Sequence, residues 1–508
     1  MAVGRTRSVA LLGMEGHLIE VEAHLAAGLP AFSLVGRPDA SLAESRERVR
    51  AALHSSGLAF PQRRVTVNLW PADLPKTGSG FDLAIAIAVL TAAGVMRPPS
   101  DRIVHLGELG LDGRVHTVRG VLPAVIEAVR AGCSQVVVPI ANAAEAALVP
   151  GVQVRAVAHL AELAAIYGAD VEIPHYDEID HTSVPTTAAA ALDLRDVVGQ
   201  NEARFALEVA AAGSHHLLLA GPPGTGKTML AARLPSLLPD LVESEAVEVT
   251  SLHSIAGVFD PAAGLITRPP MESPHHTASP AAIVGGGTGV PRPGAASRAH
   301  RGVLLLDEAP EFGARVLETL RQPLESGELV LARGAGTARY PARFQLVLTA
   351  NPCPCGKGGG KGLDCTCTVP QRRRYLGRLS GPLLDRVDLQ VDVPTSRVSA
   401  TMAASGESSS VVAARVAGAP ERMTARPHGT PWRTNASVPG AWLRTHHPLG
   451  RDVSADLERA VELGHLSLRG ADRVQRVAWS LADLASRERP NRDDVGRAMT
   501  LRMRSHHG

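Results

Sequence analysis

The sequence predicts a multidomain α/β protein whose central module is a parallel β-sheet covered by helices. Three observations carry this. Apolar runs at Leu217–Ala220, Val303–Leu306 and Phe344–Ala350 each end in glycine-rich or polar text, as buried parallel strands with functional C-terminal edges do. Residues 1 to about 170 alternate strand-like and helix-like runs, among them Arg64–Leu69, the apolar Asp82–Ala93 and Gln135–Pro139. From Asp452 onward apolar residues return at helical spacing, at Leu457, Val461, Leu466, Val474, Val477, Leu481 and Leu484. At 508 residues the chain exceeds one ordinary core, so roughly two to four domains are expected. Composition shifts divide it at 1–171, 172–192, 193–395 and 396–508. The second of these is polar and broken by proline, and reads as a linker. The last opens with a Ser/Gly/Pro/Arg-rich stretch to Pro439, helical at most over 410–417.

The first strand of the central module runs into Gly221-Pro222-Pro223-Gly224-Thr225-Gly226-Lys227-Thr228, and MLAARLPSLL after it reads as a helix. This is the phosphate-loop pattern in its required strand–loop–helix context. The glycines let the backbone wrap a polyphosphate, with N–H groups aimed at the anion from a helix N-terminus. Lys227 is one of four lysines (76, 227, 357 and 361) against 48 arginines. In a chain that writes its positive charge as Arg, it sits where a compact ammonium must reach the β/γ-phosphates. The second strand ends in Asp307 and Glu308. Asp307 is expected to hold Mg²⁺ with Thr228 as the other ligand, and Glu308 to orient or deprotonate the attacking water. Asn351 closes the third strand and is placed to reach the γ-phosphate, or simply to begin a turn before Pro352.

Net charge of +2 gives no global nucleic-acid signature, although residues 395–508 carry 17 Arg against 11 acids, a local +6. The longest apolar run, Leu83–Met96, falls short of the roughly 20 residues that span a bilayer. The N-terminus does not read as a signal peptide. No membrane partner and a cytoplasmic location are expected. Cys353, Cys355, Cys365 and Cys367 form C-x-C…C-x-C with nine residues between the pairs, a candidate tetrahedral zinc site or a set of unpaired or redox-active thiols. Lys357 and Lys361 make the same loop basic, and Cys133 reads as a small buried apolar residue.

Phosphate loop, acidic pair and Asn-tipped strand in this order resemble an AAA+ ATPase, and Asp196–Gln200 resembles that family's adenine-contacting box, with Val198, Gly199 and Gln200 at the nucleotide. Long text before the acidic strand resembles the helix-2-insert group. The stretches at 273–287, 341–356, 379–389, 405–408 and 466–470 resemble the magnesium-chelatase-like ATPases of the ComM/YifB group over essentially the whole chain. This resemblance implies that Asn351 is the first sensor, Arg386 the arginine finger, and Arg469 the second sensor on a C-terminal helical lid. A finger supplied in trans implies a homo-hexameric ring, with ATP and Mg²⁺ as cofactors.

Residues 63–133 resemble the Lon-protease-like α+β fold, but alignment puts Gly80 where the nucleophile belongs and Leu122 where the base belongs. Ser79 and Lys76 are off register, so a non-proteolytic domain is expected. The resemblance implies a DNA motor for branch migration of recombination intermediates. A chelatase motor driving metal insertion into a porphyrin is the alternative. The fused front domain and the lack of a D-x-S-x-S module favour DNA, with His275, His276, Arg292, Arg298, Arg301 and the C-terminal arginines as candidate contacts. The insert departs from usual family text at 268–276 and 297–302.

Overall fold

The computed structural model describes residues 3–175, 192–287, 290–333, 336–358, 364–395, 406–426 and 430–503. The linker reading for 176–191 and Lys361 lie outside these residues. Its first part is a seven-stranded mixed sheet in the order 31–35, 64–70, 15–26, 3–12, 103–105, 135–139, 153–157. The first two strands in the chain form an antiparallel hairpin, whereas 103–105, 135–139 and 153–157 run parallel. Helix Asp82–Ala92 packs against this sheet with Leu83 to Leu90 wholly buried. A helix apolar all round can only be a core helix, which explains its uninterrupted text. Asp82 at its start is also buried, and is matched by Arg48 Nε at 2.6 Å and by Leu109 N at 3.2 Å. Cys133 is buried among apolar neighbours, as expected.

The central module is a five-stranded, all-parallel sheet in the order 271–272, 303–306, 345–350, 217–220, 389–392. Every residue of 217–220, 303–306 and 345–350 is buried, because helices and loops cover both faces. The phosphate-loop strand lies between the Asn-tipped strand and 389–392, so the three polar strand ends meet at one edge. This mixed α/β architecture is an AAA+-like fold.

Two expectations need correction. The helix after the phosphate loop is only Lys227–Ala231, followed by a 3-10 turn at Leu234–Leu237. Pro235 has no N–H and its ring collides with the carbonyl four residues back, which stops the α-helix. The stretch read as loose from 396 contains a 17-residue helix, Ser409–Ala425, started by the Ser408 side chain and buried through Val412, Val416, Ala419 and Met423. It packs on helix Asn201–Gly213 and on Leu468–Leu484, so tertiary burial carries the helix allowed over 410–417 on past Gly418 and Pro420. The later helices are Gly440–His446, Arg451–Glu462, Leu468–Leu484 and Arg492–Arg502, with Leu457, Val474, Val477 and Leu481 in the same core.

The front sheet docks on the insert. Gly120 N donates to Ser254 O at 3.3 Å, and the Ser254 hydroxyl reaches the Glu145 carboxylate. Gly13 meets the hairpin 328–333/336–341 so closely that a Cβ would lie 2.6 Å from Arg339 O.

Candidate nucleotide site

Strand Leu217–Ala220 ends under Gly221, where a Cβ would stand 2.2 Å from Val393 O, so only glycine lets the loop leave the sheet here. Gly224 (φ 75) and Gly226 (φ 87) take left-handed turns that curl the loop before Lys227 opens its short helix. Lys227 is 7% exposed; its Nζ donates to Gly221 O and Pro222 O at 2.8 Å and to Asn351 Oδ1 at 3.1 Å. Burial pulls its pKa down, while Asp307 and Glu308 pull it up. An ammonium resting on loop carbonyls can transfer to phosphate oxygens without crossing apolar surface. Thr225 secures the loop through a 2.9 Å bond to Pro222 O.

Thr228 Oγ1 donates to the two oxygens of Asp307 at 3.0 and 3.1 Å, which places an alcohol and a carboxylate together as hard donors suited to Mg²⁺. Asn351 Nδ2 contacts Glu308 Oε1 at 3.4 Å while its carbonyl receives Lys227. Asn351 therefore bridges the ammonium and the second acid. Glu308 holds a left-handed backbone (φ 51), an uncommon state for a side-chain-bearing residue at the exit of a strand. Sequence reasoning missed what fixes this pair. Thr349 donates to Asp307 Oδ1 at 2.5 Å and its oxygen accepts Glu308 N at 2.8 Å. Its signal in the sequence was a hydroxyl two positions before Asn351, following the apolar run Leu346–Leu348.

Of Val198, Gly199 and Gln200, the last touches the loop. Gln200 Nε2 donates to Thr225 O at 3.3 Å and to Pro394 O at 2.7 Å, joining this box to the phosphate loop and to the last strand. Arg233 ties the same segment to the helix after the loop, reaching Asp196 at 2.8 Å.

Neither Arg386 nor Arg469 forms a hydrogen bond or ion pair with these groups among the described residues. Among the described residues, Arg386 is engaged by Glu325 and by Pro382 O at 2.5 Å, and it lies near Arg321, Arg469 and Arg473. Burial and those three cations push its pKa down. Arg469 is exposed in the first turn of Leu468–Leu484. Arg473 of this helix binds Asp388 at 2.5 Å, two residues beyond Arg386, so the C-terminal helices hold the Arg386 segment.

In the front domain the Ser79 hydroxyl is spent on the Glu108 carboxylate, and the buried Lys76 ammonium on Pro71 O. Leu122 is buried and apolar. Of the proposed insert contacts, Arg298 pairs with Glu272 at 2.7 Å, and Arg301 with Glu245 at 2.5 Å and Glu248 at 2.7 Å. Arg292 and His275 are exposed, with the His275 ring tilted against His276 at a centroid distance of 4.1 Å.

The four sulfurs of Cys353, Cys355, Cys365 and Cys367 converge within 4.8 Å of one another. Cys353 lies 3.3 Å from Cys355 and 3.6 Å from Cys365.

A parallel sheet with phosphate loop, acidic pair and Asn at adjacent strand ends defines an AAA+-type module. Comparison with known proteins narrows this. The family model "Magnesium chelatase, subunit ChlI" matches residues 193–401, its C-terminal counterpart 406–502, and "Subunit ChlI of Mg-chelatase" 21–142. An uncharacterized protein of Mycobacterium tuberculosis is 53% identical over 507 residues, covering 99% of both chains. YifB of Escherichia coli is 39% identical over 99% of this chain and 97% of its own. Competence protein ComM of Haemophilus influenzae is 38% identical over 99% of this chain and 98% of its own. The chain belongs to the magnesium-chelatase-like ComM/YifB family.

Proposed function

We propose that this protein is an ATP-hydrolysing motor that assembles as a homo-hexameric ring and acts on DNA, as a helicase or branch-migration engine in uptake or repair. The observation that carries ATP chemistry is the convergence of Lys227, Thr228, Asp307, Glu308 and Asn351 at one sheet edge. Lys227 and the loop N–H groups hold the phosphates, while Thr228 and Asp307 supply oxygen donors for Mg²⁺. When bound, that ion neutralises phosphate charge. Glu308 orients the attacking water and accepts its proton, with Asn351 positioning the carboxylate. Val198, Gly199 and Gln200 take the adenine side. The cysteine cluster supplies the donor set of a structural Zn²⁺.

Arg386 supports the ring. It rests on Glu325 amid other arginines, and its contacts among the described residues are with Glu325 and Pro382 rather than with the phosphate loop. Arg469, exposed near it, acts as the second sensor on the C-terminal helical lid. The front domain, 1–171, serves assembly or DNA contact and lacks a proteolytic dyad. The central and lid portions, 193–395 and 396–508, form the engine.

DNA is favoured by the full-length likeness to a protein named for competence. The chelatase names of the family models favour the second reading, a motor for metal insertion into a porphyrin. ATPase rates measured with single-stranded, duplex and branched DNA across a salt series decide between them. Stimulation by DNA that fades steeply with salt is expected. A rate indifferent to all three, but raised by a porphyrin and its metal-inserting partner, overturns the DNA assignment.

A further inference from the structure

The cysteine cluster does not stand alone. It begins two residues after Asn351, the residue that joins Lys227 to Glu308. The first two cysteines flank a turn whose end, Gly356 (φ 76), is pressed onto the phosphate loop. A Cβ there would lie 2.4 Å from Pro223 Cγ and 2.7 Å from its Cδ. Cys353 is fully buried, and its sulfur accepts Gly358 N at 3.2 Å, the type of N–H···S contact that stabilises a metal-bound thiolate. The sulfur separations of 3.3, 3.6 and 3.7 Å among Cys353, Cys355 and Cys365 approach the roughly 3.8 Å set by a tetrahedral ion about 2.3 Å from each ligand, and the Cys367 sulfur lies within 4.8 Å of the other three. They are too long for disulfides, and all four cysteines are free.

We propose that a Zn²⁺ bound by Cys353, Cys355, Cys365 and Cys367 braces the phosphate loop through the Gly356–Pro223 contact, so that zinc and nucleotide binding are energetically coupled. The inference rests on the nucleotide-site reading above. Without the metal, four thiols and a glycine-rich turn have little to hold them together, and Pro223 loses its support. The first sensor, Asn351, is released from the same side. Coupling of two sites is reciprocal: if zinc tightens nucleotide binding, nucleotide must tighten zinc binding by the same free energy.

The test uses the full chain purified without chelator. Metal analysis should return about one zinc per chain, and less than half an equivalent overturns the site. Cys365→Ser/Cys367→Ser, on the far pair from Pro223, should lose zinc and weaken a fluorescent ATP analogue at least about 5-fold. Nucleotide affinity within twofold of wild type in a zinc-free variant overturns the coupling. Should that variant misfold, the wild-type protein still decides: at equilibrium with a chromogenic chelator it should retain more zinc with MgATP present. An equilibrium zinc occupancy unchanged by MgATP overturns the coupling. Lys227→Ala is the control. Its zinc should be full and its equilibrium with the chelator indifferent to MgATP, and normal nucleotide binding by this variant would locate the failure in the nucleotide site instead.

Discussion

Thr349 shows how much of this site depends on a residue that meets neither phosphate nor metal. By holding Asp307 Oδ1 and Glu308 N at once, it sets the direction of both acids from a wholly buried position. Thr349→Val keeps the shape and removes both bonds. We expect roughly a 10–100-fold lower kcat, the usual cost of removing an orienting partner. Nucleotide affinity should stay within a few-fold, because Lys227 and the loop are untouched. Equal losses of binding and turnover would mean that Thr349 supports the loop rather than the acids. Lys227→Ala is the complementary case: the ammonium that bridges Gly221, Pro222 and Asn351 disappears, and a fluorescent nucleotide analogue should no longer bind. Unchanged affinity would remove the assignment of the loop.

At the scale of elements, the front sheet carries a pH liability. His105 ends the strand Ile103–His105 with no exposure, bonded to Thr6 Oγ1 and Tyr167 OH at 2.8 Å each. Burial lowers its pKa to about 3, so the folded protein keeps it neutral. An unfolded histidine protonates near pH 6.5. The stabilisation is therefore complete above about 6.5 and drains as pH falls toward 3, by up to ~1.4 kcal/mol per pH unit. Thermal unfolding followed by circular dichroism should shift down between pH 7 and 5, and His105→Gln should reduce that shift. A midpoint independent of pH across this range contradicts the argument. The same scale explains the helix Ser409–Ala425. Glu208 and Glu407 grip Arg415 at 2.7 Å, and Ser409 Oγ accepts Leu194 N at 2.8 Å, contacts more than 200 residues apart in the chain for Glu208 and Leu194.

At the scale of the whole molecule, the proposed ring makes each ATP site depend on a neighbour's Arg386, which within its own chain rests on Glu325 and Pro382. Arg386→Ala should bind nucleotide and fail to hydrolyse it. Mixed with Glu308→Gln subunits, it should regain part of the turnover, because some interfaces then pair an intact finger with an intact acid. Mixtures no more active than either variant alone would argue against catalysis shared between subunits.

The phosphate loop, the acidic pair and the Asn-tipped strand were legible from residues alone, since a buried parallel strand must be continuously apolar and its polar end must lie at the sheet edge. The family was legible too, from motifs spread over the chain. Tertiary structure decided what depends on distant partners: that Thr349 steers both acids, that Arg298 and Arg301 are already neutralised by Glu272, Glu245 and Glu248, and that the helix allowed at 410–417 runs on through Pro420 to Ala425. It also set Gly356 against Pro223, a contact across more than a hundred residues. Local pattern reports a residue's own backbone preference and burial period. Which charge meets which, and which loop leans on which, is fixed only when the strands are ordered in the sheet.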